Sequence, residues 1–543
     1  MLFDPMLSTG RKIPQHFRRR LLGAVVGGLG AVNGVLSCWA GRQAIEDAAA
    51  PAGPKGCDFV FPSSTGTAAT AVVPADFPAR LFPAAQRGGT INDASCLNKT
   101  PVHGVLLVRD ADDVAHALRY ARDHGLEVTA AGERHSMGGQ SFVRDGLVLD
   151  MRGMRRMSLS ADRAILTVES GASWAAVQRF LDRHGCAVKA MQSINIFTVG
   201  GSLSVNAHGI AHDPGPVSAT VRSLRVMTAD GEIRTASPTE NRELFRAVLG
   251  GYGLLGVILE ARLDVVPNVM YESRTEYMSY RDFPAFYARR VAGNAEIGLF
   301  YARLSVSPSG YLREVAAHLF TAAPRAGTPP PLTPDDNVTL ERFVINNSKR
   351  GPLGRYLRWT LEKHLQPVLE TCSRNQAMGG TEACLVSRNQ EMYDSMDYLR
   401  NRLRDTDILQ EYFVPYAAMP AFTDGLRAIV AKHGANLLNV TLRRVERDDI
   451  TTLPYATGDM FGLVLYFNQR LDDVSSRALA ATTRDLVDLA LRHQGTYYLP
   501  YRLDYTREQL RAAYPGLDDF FRLKAKYDPR SLFVNQMYEK YRA

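Results

Sequence analysis

The six cysteines of this 543-residue chain form no CxxC pair, and none stands at metal-ligand spacing from a histidine. That argues against a zinc or iron–sulfur site. The glycine-containing loop over 132–140 is neither a GxGxxG fingerprint nor a Walker loop, because its spacing is wrong and no lysine follows. The net charge of +8 is carried by arginines scattered among acids rather than gathered in blocks, which reads as solubility and not as nucleic-acid binding. No internal repeat is found, which sets solenoids and propellers aside. What remains is ordinary globular composition, 45% hydrophobic and 22% charged. The length implies two or three domains.

The first forty residues stand apart from the fold. Arg18-Arg19-Arg20 precedes an apolar, glycine-rich run over 21–36, the pattern of a signal peptide or signal anchor. Arg18-Arg19-Arg20-Leu21-Leu22 resembles a twin-arginine export signal, and Val35-Leu36-Ser37-Cys38 resembles a lipobox that would place a lipid on Cys38. A retained helix just long enough to span a bilayer is the third reading. These predict an exported chain, periplasmic or membrane-anchored. Cys372 and Cys384 would bond in such a compartment or stay as buried thiols.

Residues 41–95 are rich in Ala, Pro, Gly and Ser and are expected to be a tether with little regular structure. Ordered patterning begins near Val102. A strand over 105–108 is followed by Asp110, an N-cap for a helix carrying Val114, Leu118 and Ala121 and closed by Gly125. Further strands are predicted over 126–131, 146–151 and 164–169, and Ser173 caps a helix with Trp174, Val177 and Leu181 on one face. Strands and helices alternate without the cadence of a doubly wound sheet, so α+β is the predicted class. After Pro267 the segments lengthen and become aromatic, with a proline-rich break over 322–336. The expected division is a domain at 96–267, a second at 268–494, and a closing segment at 495–543 that packs back on the first.

Three glycine clusters carry the chemistry. Gly132-Glu133-Arg134-His135-Ser136-Met137-Gly138-Gly139 directly follows a strand. Glycines there let successive backbone N–H groups converge on one spot, which is how an anion is held without a bulky side chain. Val199-Gly200-Gly201-Ser202 leads on to Asn206-Ala207-His208-Gly209, and Leu249-Gly250-Gly251-Tyr252-Gly253 precedes Gly256-Val257. In this order the three resemble the FAD-binding domain of the vanillyl-alcohol oxidase superfamily, also called the PCMH-type flavin domain, over about 102–266. The resemblance implies FAD in a two-lobed fold, with a separate substrate lobe built on an antiparallel sheet.

The Arg134-His135-Ser136 triplet is similar to the covalent-flavin loop of alditol and aldonolactone oxidases, where the matching histidine is bonded to the flavin. This implies the same for His135, with a neutral imidazole as nucleophile. Such a link would prevent cofactor loss outside the cell, and twin-arginine export of a loaded protein suits a flavoprotein. No cysteine stands near 193–197, where doubly tethered relatives carry one. Residues 132–138 would line the pyrophosphate. Gln192, Ser193, Gly200, Gly201 and Ser202 would flank the pyrophosphate and ring, with Asn206, His208 and Gly209 close by. Gly256 and Val257 would meet the adenine end.

In the second lobe, segments over 410–415, 439–444 and 461–467 read as strands, with Asn439, Thr441 and Arg443 on one face and Gln410, Tyr412 and Val414 on one face. This run looks like the substrate lobe of decaprenylphosphoryl-ribose and aldonolactone oxidases, with Arg443 where the former has lysine. A fixed cation there would stabilise negative charge arriving with a hydride. Arg443 is the first choice, with Arg444 the fallback. Glu411 and Tyr412 are candidates to orient a substrate hydroxyl, Asn535 to contact flavin or substrate, and Tyr498 and Tyr501 to face the pocket. The expected activity is oxidation of a CH–OH group on a polyol, sugar, aldonolactone or lipid-linked sugar, with oxygen or a membrane carrier taking the electrons. A reductase or amine oxidase on the same scaffold and a flavin-binding protein without turnover are the alternatives.

Overall fold

The computed structural model describes residues 75–542, apart from 79, 83–84, 214, 325–326, 334–337, 365–383 and 395–404. The predicted signal or anchor, most of the tether, Cys38 and Cys372 lie outside the described residues. Among those described, no helix is long and apolar enough to cross a membrane.

The molecule is α+β, built around three main sheets. The first is a small one in the strand order Gln86–Arg87, Gly104–Leu107, Leu147–Asp150, Val128–Ala131. Its last three strands run parallel, so the Ala111–Asp123 helix must cross over between Gly104–Leu107 and Val128–Ala131. Asp110 caps that helix by accepting from the Asp113 amide at 2.9 Å. Val114, Ala117, Leu118 and Ala121 turn its apolar stripe onto the sheet, where each is fully buried. Burying Val114 and Leu118 stabilises the unit by about 1.5–3 kcal/mol apiece. The strand Val128–Ala131 ends directly at Gly132, so this crossover unit presents the glycine loop at the sheet's carboxyl edge.

The second sheet is antiparallel, with Val257–Pro267 joined to Val221–Met227 on one side and Ile165–Glu169 on the other. The third has eight strands, antiparallel throughout, and draws on residues 270–497. At its centre lie Ile297–Leu304, Asn436–Val445, Met460–Arg470 and Asp405–Pro415 side by side. The chain end returns to the first sheet. Val534 N donates to Val128 O at 3.0 Å, and Leu532 and Phe533 fill the same core as Leu106, Val114 and Leu147.

One expectation changes. The end of the presumed tether is folded: Thr90–Ile91 pairs with Thr100–Pro101, and Asn92, Asp93 and Ser95 are buried. Cys96 is disulfide-bonded, whereas Cys186 is a buried free thiol.

Candidate active site

A cleft with a volume of about 270 Å³ separates the glycine loop from one face of the eight-stranded sheet. From the loop side Gly132, Glu133, Arg134, His135 and Ser136 line it. Thr198 packs where a Cβ on Gly132 would stand, so only glycine lets the two backbones approach this closely. Arg134 holds left-handed backbone, φ 55°, and its guanidinium is 4% exposed with no hydrogen-bond partner for Nη2. Burial, then the charge of Arg152, pulls its pKa down to about 10. The His135 ring faces Phe197 with centroids 4.5 Å apart. Burial depresses it to about 4, so the imidazole is neutral at physiological pH. Burial also raises the Glu133 carboxyl, against the pull of Arg152 3.4 Å away.

Met137 and Gly138 do not line the cleft. The Met137 amide donates to Pro500 O at 2.8 Å, and the Gly138 amide donates to Gln140 Oε1 at 2.9 Å, so both fasten the loop to the chain's closing segment and to itself.

Gln192, Ser193, Gly201, Ser202 and His208 do line the cleft. Trp174 Nε1 donates to Ser202 Oγ, and Ser202 Oγ donates to Gln192 Oε1, each at 2.8 Å. This relay fixes the wall before any ligand arrives. Gly200 and Gly209 serve as close-packing points against Ser170 and Met191. Asn206, expected near the flavin, is a buried hub. Its Nδ2 donates to Asp448 at 2.9 Å, its Oδ1 accepts from Ser218 N at 3.1 Å, and its carbonyl accepts from Tyr455 at 2.8 Å. Gly256 and Val257 open the Val257–Pro267 strand and stand outside this cleft's lining.

On the sheet side the period of two decides what faces the cleft. Asn439, Thr441 and Arg443 line it from one strand, Leu409 and Glu411 from another, and Val464 and Tyr466 from the strand between. Tyr412 is therefore on the wrong face to orient a substrate. Its hydroxyl donates to Gln410 Oε1 at 2.8 Å, and it is 1% exposed. Arg444 likewise turns away, donating to His212 O and pairing with Glu446, so it is not the fallback cation. Asn535 caps the final helix, accepting from Tyr538 N at 3.0 Å and donating to Tyr252 O at 2.9 Å; it does not reach the cleft. Tyr498 and Tyr501 line it.

The cleft also holds a buried pair. His208 Nε2 lies 2.8 Å from Glu411 Oε1, and both side chains are almost wholly enclosed. The distance is that of a close polar contact, but the atoms are not aligned for a hydrogen bond. Gly462, one strand over, makes room for it, since a Cβ there would stand 2.9 Å from Glu411 Oε1. Arg443 Nη1 reaches the His208 carbonyl only at 3.5 Å, and its Nε has no partner. A carboxylate, an imidazole and an underused guanidinium thus converge on one pocket, able to move a proton and to hold negative charge.

Sequence reasoning missed the far wall. Arg303 and Arg358 share Glu362, at 3.0 and 2.9 Å, and Arg303 Nη2 donates to Asn439 Oδ1 at 2.8 Å. Alternation along Ile297–Leu304 places Tyr301 and Arg303 together and was the available signal; for Arg358, on the Pro352–His364 helix, there was none.

Residues 102–237 match the family model for an FAD binding domain. The chain is 25% identical to cytokinin dehydrogenase 4 of Arabidopsis thaliana over 465 residues, 79% of this chain and 86% of that protein. It is 32% identical over 262 residues to an uncharacterized oxidoreductase, ORF5 in the fasciation locus of Rhodococcoides fascians, covering 47% of this chain and 56% of that one. Against decaprenylphosphoryl-beta-D-ribose oxidase of Mycolicibacterium smegmatis it is 32% identical over 171 residues, 31% of this chain and 37% of the relative. For these last two the alignment spans well under two thirds of the relative.

Proposed function

The chain belongs to the PCMH-type FAD oxidase family and its cofactor is FAD, and from that premise we propose that it carries FAD covalently on His135 and oxidises a CH–OH group of a polyol, sugar, aldonolactone or lipid-linked sugar. The residues of the cleft fit the cofactor. A buried guanidinium with an unused donor is costly unless an anion meets it, and Arg134 stands beside a glycine cradle in which a pyrophosphate answers that need. Bound FAD supplies a hydride acceptor, and the chain's residues do the rest.

Glu411, in contact with His208, accepts the proton of the substrate hydroxyl, and burial of the pair keeps water from competing for it. Arg443 offers a fixed positive charge to the negative charge that a two-electron reduction leaves in the cleft. The polar far wall of Arg303, Asn439, Thr441 and Tyr466 suits a hydroxylated substrate. On this reading 96–267 with 495–543 is the cofactor lobe and 268–494 the substrate lobe. Export is supported by the Cys96 disulfide, since disulfides persist in oxidising compartments, and oxygen or a membrane carrier is the electron acceptor.

The observation that carries the proposal is the buried His208–Glu411 pair with Arg443 beside it in the cleft. Its test has two stages. Acid-denatured protein should stay yellow and carry the mass of FAD, while His135→Ala should release its flavin. A panel of alditols, aldonolactones and sugars should then reduce the flavin anaerobically. Because an alignment over 465 residues is with a cytokinin dehydrogenase, a cytokinin belongs in the same panel. Reduction by it alone would replace the CH–OH reading with an amine one.

A further inference from the structure

Residues 92–98 lie before the matched family domain, and 92–95 close the stretch whose composition suggests only a tether. They nevertheless hold the cofactor loop at three points. Ala94 N donates to Arg134 O at 3.0 Å, Asn98 Nδ2 donates to Met137 O at 2.8 Å, and Gly139 N donates to Asp93 Oδ2 at 3.1 Å. These three positions bracket His135 and Ser136. We propose that residues 92–98 are a clasp that sets the loop in the shape that accepts FAD, with Asp93 as its positioning residue.

Asp93 is fully buried and makes the clasp rigid. Its Oδ1 accepts from Ser95 N at 3.0 Å and Ser95 Oγ at 2.5 Å, while Oδ2 accepts from Asn98 Nδ2 at 2.6 Å as well as from the loop. Burial pushes its carboxyl above the usual range, and those same donors offset only part of that rise. A carboxylate kept at a desolvation cost, with these four donors around it, has a task beyond filling space. Its charge also offsets the buried Arg134 guanidinium. The clasp is anchored at its far side, where Thr406 Oγ1 donates to Ser95 O at 2.7 Å, and Cys96 within it is disulfide-bonded. An adjacent strand of the substrate sheet and a covalent bond therefore fix the segment that fixes the loop.

The proposal rests on the loop being the FAD site. Asp93→Asn keeps the volume but presents an amide N–H₂ to a ring of donors. The full-length variant should melt cooperatively yet attach FAD about ten-fold more slowly when FAD is added to apo-protein, with a matching fall in acid-stable flavin. Val108→Ala, in the core beneath the first sheet, supplies a control of similar stability loss that should attach at the wild-type rate. Attachment at the wild-type rate in Asp93→Asn, or equal slowing in both variants, overturns the clasp. Should wild-type protein release all its flavin in acid, the covalent reading alone fails. The clasp then predicts FAD binding about ten-fold weaker in Asp93→Asn than in either wild type or Val108→Ala, and equal affinities overturn it.

Discussion

Gly462→Ala should slow the enzyme about ten-fold through Glu411 while leaving the carboxylate itself in place. The new Cβ would stand 2.9 Å from Glu411 Oε1 and 3.1 Å from the Phe413 ring. Ordinary contact between a methyl carbon and an oxygen is roughly 3.4 Å, so the carboxylate must withdraw by about 0.5 Å. Glu411 is 2% exposed and cannot swing into solvent. The atom displaced is the one 2.8 Å from His208 Nε2. If a 1 Å misplacement costs on the order of 100-fold in rate, half of that costs about ten-fold. Overpacking would lower stability by roughly 1–3 kcal/mol. The assay is anaerobic flavin reduction by the substrate that the panel yields, beside Glu411→Gln, where loss of the base should cost about 10²–10⁴-fold. The double variant should be no slower than Glu411→Gln alone, because both act through one group. If Gly462→Ala keeps full speed, or slows Glu411→Gln a further ten-fold, Glu411 is not the proton acceptor.

Arg443→Ala should lower the reduction rate about 10²-fold with flavin content unchanged, as expected for loss of a group that stabilises developing charge; equal loss of flavin and rate would make Arg443 a cofactor ligand instead. Arg134→Met should stabilise the apo-protein by about 1–3 kcal/mol, since it removes a buried cation whose Nη2 has no hydrogen-bond partner, yet weaken FAD retention; thermal melts with and without FAD separate the two effects. His135 titrates near 6.5 when unfolded and about 4 in the fold. The unfolded chain therefore takes up the proton first as pH falls, and apo-protein stability is lost progressively between 6.5 and 4. The full shift corresponds to about 3 kcal/mol, reduced to about 2 because the ring opens partly to the cleft. Denaturant melts of apo-protein and of His135→Asn across that range should differ by this slope, and parallel curves would refute a buried neutral imidazole.

How much of this was legible depended on whether a signal was local. The cap at Asp110, the stripe Val114–Leu118–Ala121 and the turn into Gly132 are set by neighbours in sequence, and the loop that carries His135 could be read from them. The period of two rightly put Asn439, Thr441 and Arg443 on one face, but it could not say which face of the Asp405–Pro415 strand met the cleft. Both Glu411 and Tyr412 were therefore retained, although a strand cannot aim adjacent side chains into one pocket. Only the register with Met460–Arg470, which sets Glu411 against Val464 and Tyr412 against Leu463, resolves the choice. The same non-local logic explains Asn206 and Asn535. An asparagine near a glycine cluster, or near the chain end, looks like a ligand contact, and it becomes a hub or a cap only when Asp448 or Tyr252 arrives from hundreds of residues away. The clasp at residues 92–98 was invisible for a further reason. Composition rich in small polar residues signals a tether on average, yet one buried carboxylate with several donors can order such a segment, and whether those donors converge depends on where the cofactor loop folds.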